Sequence, residues 1–361
     1  MEIKTYTAAQ LVAFTQSQQF SELKHLPVSK LRALSHLHNP RLDAETPIMY
    51  MAWVNGEVAG YRMVLCDTLY ANGQAQPVCW YSCVWVNPEM RGMGIAKGLV
   101  NRCLQDWDGR IYGADAVPES RNLYLSTGLY KGELYLEGTR AYLRANFADI
   151  IIKKKPALSL LKPLLAIGDG ILNLLVPSKA NNLPKGVEVI TFVDDKTEAF
   201  IQPYLDKLLF RRDKDDLNWI TQYPWIRSGA PDQESKRYYF SSVAKHFEFV
   251  QWRLTNAEGK IVGYAMLSVR DGHLKTPYVF VEDAYVAVLA KAITNYMVSE
   301  KLEMLTTFHP GLAQYFKQHK RPFIFVKSIR REYFASNAVS QYVKMGAQPN
   351  VCDGDGDQAF T

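Results

Sequence analysis

Alternating apolar residues in the first half of the chain are typical of strands. Residues 48–54 and 58–65 flank Asn55 and Gly56, and an Asn-Gly pair is the strongest short-range signal for a hairpin turn. A further extended run at 77–86 is rich in Val, Trp, Tyr and Cys, which favour strands. These patterns predict successive antiparallel strands.

Other segments carry apolar residues every three or four positions, which predicts helices. In one case Ile95, Leu99 and Leu104 fall on one face. Pro118 and Gly128 mark the start and the stop of another helix. The predicted helices of the first half are 8–20, 28–37, one that begins within 91–96, and 118–127, with strands at 3–6, 110–114, 132–137 and 140–144.

The second half repeats this order of elements with different residues. Its predicted elements are a hairpin at 247–254 and 261–270, a strand at 278–286, a helix at 288–298, a strand at 302–308, a helix at 310–320 and an extended run at 323–333. Two diverged copies of one architecture explain the order economically. We therefore expect an α/β (α+β) protein with two tandem domains at 1–147 and 187–361, each a mixed, mostly antiparallel sheet flanked by helices.

The segment 148–186 is predicted to link the two domains. It holds Lys153, Lys154 and Lys155, followed by a leucine-rich run at 156–177. Lys162 and Pro163 interrupt this run well short of the roughly 20 apolar residues that a membrane-spanning helix needs. We expect a helix packed between the domains, and the alternative is a helix that lies on a membrane surface.

Composition narrows the class of protein. The 361 residues exceed what one core usually serves, and 48% hydrophobic residues fit a globular chain. The net charge is +6, but the sequence has no basic block long enough to indicate nucleic-acid binding, and an anionic cofactor or substrate explains the charge as well. Five cysteines without CxxC spacing indicate neither a disulfide framework nor a metal site. With no signal peptide at the N-terminus, we expect a cytoplasmic protein.

The stretch from 84 to 96 carries the clearest chemical signal. It reads strand, then a loop with Gly92 and Gly94, then helix. Amides at a helix N-terminus point at anions, and glycine lets a diphosphate approach the main chain closely. The Gly-Lys-Ser/Thr ending of a Walker loop is absent, and a Rossmann loop requires a parallel βαβ unit. A different diphosphate-bearing cofactor is implied.

This stretch resembles the acyl-CoA loop of the GNAT superfamily of N-acetyltransferases, Arg/Gln-x-x-Gly-x-Gly/Ala, which Arg91, Gly94 and Ala96 match in register. The resemblance covers roughly residues 1–145 and implies acetyl-CoA, or another acyl-CoA, as the cofactor. By that resemblance, the backbone of Val84 and Val86 pairs with the pantetheine arm. The amides implied to hold the pyrophosphate are those of Arg91, Gly92, Met93, Gly94, Ile95 and Ala96.

The family also has a tyrosine that protonates the sulfur of CoA, four residues before a Gly-Phe pair. Tyr124 stands four residues before Gly128 and Leu129 and takes that place. The family's asparagine seven residues earlier is Val117 here, and its glutamate on the preceding strand is missing. Asp115 is the predicted general base, because it follows the next strand.

The second half has no comparable loop, since no glycine lies between Gly272 and Gly311. Residues 210–212, 217–219 and 250–253 resemble, more loosely, acyltransferase-like domains of the FemAB type and of polysaccharide-modifying GNAT relatives. This resemblance implies a degenerate domain that shapes the acceptor pocket or supports the fold. His309 is more simply a capping residue than a ligand-binding one. The acidic tail at 353–357 has partial calcium-loop spacing, but we expect an exposed, mobile end.

The sequence thus predicts an acyl-CoA-dependent N-acetyltransferase that is a monomer or a homodimer. The predicted acceptor is a small-molecule amine or amino sugar, attacked directly without a covalent enzyme intermediate. The alternatives are a non-catalytic acyl-CoA-binding scaffold and a FemAB-like aminoacyl transferase.

Overall fold

The computed structural model describes residues 1–127, 130–174, 176–177, 182–340, 342 and 350–361, with the backbone alone at 130–134. Gly128 and Leu129, the predicted helix stop and the family's Gly-Phe position, lie outside the described residues. The chain forms two compact units. Unit 1 comprises Met1–Leu136, Val193–Phe247 and Arg331–Thr361, and unit 2 comprises Glu137–Phe192 and Glu248–Arg330.

Both units contain strands and helices. The strands are β1 (Glu2–Tyr6), β2 (Met49–Val54), β3 (Glu57–Ala71), β4 (Gln74–Val86), β5 (Ile111–Ala114), β6 (Tyr130–Tyr142), β7 (Val187–Ile190), β8 (Arg227–Ser228), β9 (Val243–Ala244), β10 (Phe247–Thr255), β11 (Ile261–Arg270), β12 (His273–Val281), β13 (Met304–Thr307) and β14 (Phe325–Ser336). The helices are α1 (Ala8–Thr15), α2 (Gln18–Glu22), α3 (Lys30–Leu37), α4 (Ile95–Asp106), α5 (Pro118–Ser126), α6 (Phe147–Lys154), α7 (Lys162–Asn173), α8 (Asp195–Leu205), α9 (Lys214–Gln222), α10 (Gln233–Arg237), α11 (Val286–Ser299), α12 (Pro310–Gln318) and α13 (Asn337–Ser340). Short 3₁₀ helices lie at Pro88–Met90, Pro156–Leu161, Asp283–Tyr285 and Gln358–Phe360.

The sheet of unit 1 has the strand order β1-β2-β3-β4-β5-β14. Its pairs are antiparallel except for the parallel pair β4–β5. The predicted hairpin at Asn55 and Gly56 is confirmed, and both residues have positive φ as a tight turn requires. A second such turn at Asn72 and Gly73 joins β3 to β4 and makes both strands longer than predicted.

The sheet of unit 2 has the order β6-β13-β12-β11-β10-β7, and its parallel pair is β12–β13. In both units a hairpin leads into a strand, a helix, a parallel strand and a second helix. The predicted repetition of element order is therefore confirmed, as is the α/β class with mostly antiparallel sheets. The run predicted as two strands, 132–137 and 140–144, is the single strand β6.

Each unit takes its last strand from the opposite half of the sequence. Strand β14 follows α12 along the chain but pairs with β5 in unit 1. Strand β6 follows α5 but pairs with β13 in unit 2. The compact units therefore interleave along the chain. The domain boundaries at 147 and 187 stay a prediction.

Helix boundaries differ where a polar residue caps the backbone. The predicted helix 8–20 is two helices, because Thr7 caps α1 and Ser17 caps α2, its side chain accepting from the amide of Phe20 at 3.2 Å. Helix α4 packs on β2, β3 and β4 in unit 1. An added Cβ at Gly60 would stand 2.9 Å from the side chain of Ile95, so this glycine lets helix and strand approach.

The acidic tail is not an exposed end, and that prediction is wrong. Asp353 and Asp355 are buried within unit 1, and each of the three tail aspartates pairs with an arginine. The pairs are Asp353 with Arg331, Asp355 with Arg212, and Asp357 with Arg32. Buried carboxylates persist when cations and hydrogen bonds compensate their lost hydration, and no calcium is needed to explain the aspartates.

Candidate active site

The glycine loop has the geometry that an anion site needs. Gly92 and Gly94 adopt φ of +85° and +76°, and a Cβ added to either would meet nothing within 4 Å. The backbone conformation, and not a lack of space, is therefore what favours glycine at both positions. Open space lies beside them. Gly94 is the N-cap of α4 without a side-chain cap, so the amides of the first turn lack helical acceptors. Arg91 beside them is exposed.

Strands β4 and β5 diverge just before this loop. Their paired residues are Cys79 with Ile111 and Trp80 with Tyr112. Beyond these pairs β4 continues to Val86 and stays paired with β3 on its other side. Among the described residues, the β5 side of β4 therefore carries backbone groups with no strand partner, and this edge includes the predicted Val84 and Val86.

A β-bulge lies at the point of divergence. The register of β3 against β4 shifts between the pairs Arg62–Val84 and Val64–Tyr81. A bulge places an extra residue on one strand and re-aims the side chains around it. Here it falls at Ser82 and Cys83, next to the last β4–β5 pair.

Tyr124 lies buried beside the diverging strands. Its ring stacks on Tyr81 of β4 with centroids 4.9 Å apart, and its hydroxyl accepts a hydrogen bond from Nη2 of Arg62 at 2.7 Å. A guanidinium only donates, so the phenol oxygen is the acceptor in this bond. The predicted proton donor is thus held by β3 and β4 at the site where they adjoin the glycine loop.

Arg62 is the cation of this region, and sequence reasoning missed it. Its side chain is fully buried, and its guanidinium carbon lies 3.9 Å from the ring centre of Tyr81. Its Nε and Nη1 have no hydrogen-bond partner, and no carboxylate pairs with it in the part of the chain that the structure describes. Burial opposes the charge, but attraction to Tyr124 and Tyr81 outweighs it and raises the pKa of Arg62. The site therefore holds a permanent buried positive charge.

Asp115, the predicted base, lies at the end of β5 with a left-handed φ of 49°. Its carboxylate accepts from Nε of Arg331 at 2.8 Å, and its amide donates to the carbonyl of Glu332. The side chain is 46% exposed. The ion pair with Arg331 occupies one of its oxygens, which leaves it fewer sites for an incoming proton.

A second carboxylate lies at the bulge. Ser82 donates to Oδ2 of Asp357 at 2.5 Å and accepts a hydrogen bond from Arg32 of α3. Consecutive strand residues point to opposite faces, which is why Tyr81 contacts α5 whereas Ser82 contacts α3 and the tail. Strand β4 has no carboxylate of its own at this point, but the folded chain places that of Asp357 beside it. The side chain of Asp357 is 17% exposed.

Cys83 follows Ser82 and is buried beside the hydroxyl of Tyr238 at 3.5 Å. Burial raises the pKa of its thiol, which disfavours the nucleophilic thiolate. A covalent acyl-cysteine is therefore not supported at this position.

Unit 2 has the same framework without the two chemical features. In unit 1 the 3₁₀ turn Pro88–Met90 is followed by Arg91 to Gly94 before α4 begins, whereas in unit 2 the turn Asp283–Tyr285 leads directly into α11. Helices α5 and α12 both have nine residues and begin with proline, and their seventh residues are Tyr124 and Phe316. Unit 2 thus has neither the glycine loop nor the hydroxyl. His309 there caps α12, its Nδ1 accepting from Leu312 at 3.3 Å.

The residues of unit 1 fit an acyl-CoA. The glycine loop offers open space and free first-turn amides for a diphosphate. The unpaired edge of β4 offers backbone groups for the amides of an extended arm. Sequence reasoning found the loop and Tyr124, but not Arg62, Ser82 or Asp357.

Comparison with known proteins agrees with this geometry. Residues 13–126 match the model of the acetyltransferase (GNAT) family. No curated protein matches the sequence. The N-myristoyltransferase of Saccharomyces cerevisiae with bound myristoyl-CoA is similar with a TM-score of 0.51 at 10% identity, over 92% of this chain and 78% of that one.

Two further solved structures match with TM-scores below that of the myristoyltransferase. A tandem GNAT protein from the clavulanic acid biosynthesis pathway has a TM-score of 0.49 at 11% identity, over 93% of this chain and 98% of that one. A GCN5-related N-acetyltransferase from Sphaerobacter thermophilus has a TM-score of 0.46 at 14% identity, over 93% and 95%. The family match confirms the predicted resemblance over residues 13–126.

Proposed function

We propose that unit 1 transfers an acyl group, in the first instance acetyl, from acyl-CoA to the amine of a small acceptor such as an amino sugar or a polyamine. The observation that carries this proposal is the open glycine loop at the start of α4, beside the unpaired edge of β4 and the buried Tyr124. The family match at 13–126 supports it.

Each part of the site has a defined role in this proposal. The amides from Arg91 to Ala96 bind the diphosphate, helped by the charge of Arg91. The edge of β4 at Val84 and Val86 pairs with the pantetheine arm. Acyl-CoA supplies the activated thioester. Tyr124 donates its hydroxyl proton to the sulfur as the carbon–sulfur bond breaks, and the new bond forms between that carbon and the amine nitrogen.

The amine must lose a proton, and two carboxylates are candidates to take it. Asp115 is the base that the sequence predicts. Asp357 is a second candidate, and its position supports it: its carboxylate accepts a hydrogen bond from Ser82 at the bulge of β4, although it too pairs with an arginine, Arg32. Replacing each aspartate by asparagine separates the two assignments.

The deciding experiment measures CoA binding and turnover on the same protein. Calorimetry with CoA and acetyl-CoA tests the loop, and release of free CoA over a panel of amines tests the reaction, with myristoyl-CoA as a second donor. We expect Arg91→Glu to weaken CoA binding about tenfold through lost charge. The matched control is Lys207→Glu, an exposed charge reversal in the same unit outside the loop.

Tyr124→Phe is expected to lower kcat by roughly 100-fold and to leave CoA affinity within about twofold, because the hydroxyl acts on the reacting sulfur. Tyr50→Phe, another buried tyrosine of unit 1, should change neither quantity. Absence of any binding heat for both CoA forms would refute the proposal. Tight binding without turnover on any amine would support the scaffold alternative, and salt-dependent binding of tRNA would support aminoacyl transfer.

A further inference from the structure

Helix α7 presents its apolar residues to solvent. The side chains of Leu164, Ile167 and Ile171 are 67%, 61% and 62% exposed. Leu160 before the helix is 91% exposed and Leu174 after it is 83% exposed. These residues follow one another at spacings of four and three, so they form one stripe along the helix. The packing of this segment between the two domains stays a prediction.

The opposite side of α7 is held by polar contacts. Asp169 is buried and accepts from the amides of Phe147 and Ala148 at 3.0 and 2.8 Å, which caps the first turn of α6. Asn173 exchanges two hydrogen bonds with the backbone of Ala145. These contacts within unit 2 fix which way the helix faces. The outward position of the apolar stripe is thus determined by hydrogen bonds.

Positive charge lies at one end of the same helix pair. Lys153, Lys154 and Lys155 are exposed where α6 ends. Lys162 begins α7 and pairs with Asp149 at 2.9 Å. An apolar stripe with lysines beside it is the pattern of helices that lie in the interface of a membrane rich in anionic lipid.

We propose that the segment from α6 to α7 binds the surface of an anionic phospholipid membrane, with the stripe 160–174 entering the acyl boundary and Lys153 to Lys155 contacting headgroups. Within the described ranges no helix is long and apolar enough to cross a membrane. The 12 residues of α7 extend about 18 Å, against roughly 30 Å of hydrocarbon core. The helix therefore lies on the surface.

A second copy of this chain is the competing occupant, and charge disfavours it. A two-fold symmetric contact through the stripe uses the same patch on both copies, so each copy offers the other the same lysines and no complementary acidic cluster. Like charges there oppose association, whereas phosphate headgroups attract them. This inference does not depend on the proposed reaction.

The test is flotation of the full chain with vesicles of phosphatidylcholine, with or without phosphatidylglycerol. We expect binding to the anionic vesicles that weakens as salt is raised. Ile167→Glu with Ile171→Glu should reduce it at least tenfold, since it places charge in the apolar stripe. The matched control is Val189→Glu with Phe192→Glu, which changes two exposed apolar residues elsewhere in unit 2 and should leave binding unchanged.

Replacing Lys153, Lys154 and Lys155 by Gln tests the charge separately, with an expected loss on the order of 100-fold for anionic vesicles. Circular dichroism and thermal unfolding confirm that each variant folds. The proposal is overturned if the wild-type chain does not float with anionic vesicles, or if Ile167→Glu with Ile171→Glu floats equally well. It is also overturned if light scattering shows a dimer that this double variant splits while vesicle binding is absent.

Discussion

Arg62 shows how a single residue organises the candidate site. Its Nη2 donates a hydrogen bond to the hydroxyl of Tyr124, which fixes the position of that hydroxyl. We expect Arg62→Gln to lower kcat about tenfold because the phenol loses that support, while the KM for acyl-CoA changes little. In Tyr124→Phe the hydroxyl is gone, so adding Arg62→Gln should cost little more. Steady-state kinetics of the four proteins give the coupling. Additive losses would show that Arg62 acts independently of Tyr124.

The two candidate bases, Asp357 and Asp115, predict opposite results when each is replaced by asparagine. If Asp357 accepts the proton, Asp357→Asn lowers kcat/KM for the amine by roughly 100-fold, and Asp115→Asn by less than about threefold. Both substitutions keep the shape of the side chain. Denaturant unfolding of each variant checks that Arg32 and Arg331, their ion-pair partners, have not destabilised the fold. The larger loss in Asp115→Asn would restore the base that the sequence predicts.

Residue patterns reveal some parts of this site and hide others. The glycine loop is a local signal, since two glycines after a strand and before a helix need no distant partner to be recognised. Arg62 gives no such signal, because β3 is buried on both faces and alternation no longer separates inward from outward positions. Asp357 lies 275 residues from Ser82 in sequence, so only the folded chain brings them together.

At the scale of elements, the start of α12 makes stability depend on pH. Burial lowers the pKa of His309 from 6.5 to about 4, against a smaller opposing effect of Asp283. Below pH 6.5 the unfolded chain binds a proton at His309, whereas the folded chain does not. The free energy of unfolding therefore decreases as the pH falls from about 6.5 to about 4. Asparagine caps helices without titrating. We therefore expect His309→Asn to gain about 2 kcal/mol relative to the wild-type chain between pH 7 and pH 4.

Urea unfolding of both proteins at the two pH values measures this difference directly. Every other titrating group is common to both chains, so the difference between them isolates His309. An equal difference at both pH values would show that the imidazole is protonated in the folded protein. At pH 7 the two chains should differ little, because both side chains can accept from the amide of Leu312.

Element types follow from local patterns, whereas strand partners do not. The hairpin at Asn55 and the helix after Gly94 were predictable because turn residues and apolar spacing are local. Period-two alternation marks β14 as a strand but contains nothing about its pairing with β5. The exchange of last strands between the two units was therefore beyond the sequence argument, and so were the boundaries of the compact units.

At the scale of the whole molecule, the tail is part of the core of unit 1. Phe360 is 1% exposed, and its ring stacks on Trp225 with centroids 3.8 Å apart. The glycines and aspartates at 353–357 suggest an exposed segment, because composition alone does not show that three arginines pair with these aspartates in the folded chain. The segment therefore completes the core of unit 1, and we expect its loss to destabilise that unit.

Phe360→Ala tests this, since a buried phenylalanine leaves a cavity when truncated. We expect the free energy of unfolding of unit 1 to fall by about 3–4 kcal/mol. Tryptophan fluorescence reports mainly this unit, because of the seven tryptophans only Trp252 lies in unit 2. The control is Tyr239→Ala, at an aromatic side chain of the same unit that is 72% exposed, and it should change stability by less than about 0.5 kcal/mol. An equally small effect of Phe360→Ala would mean that the tail leaves its site in solution, and Asp357 would then no longer be held at Ser82 to serve as a base.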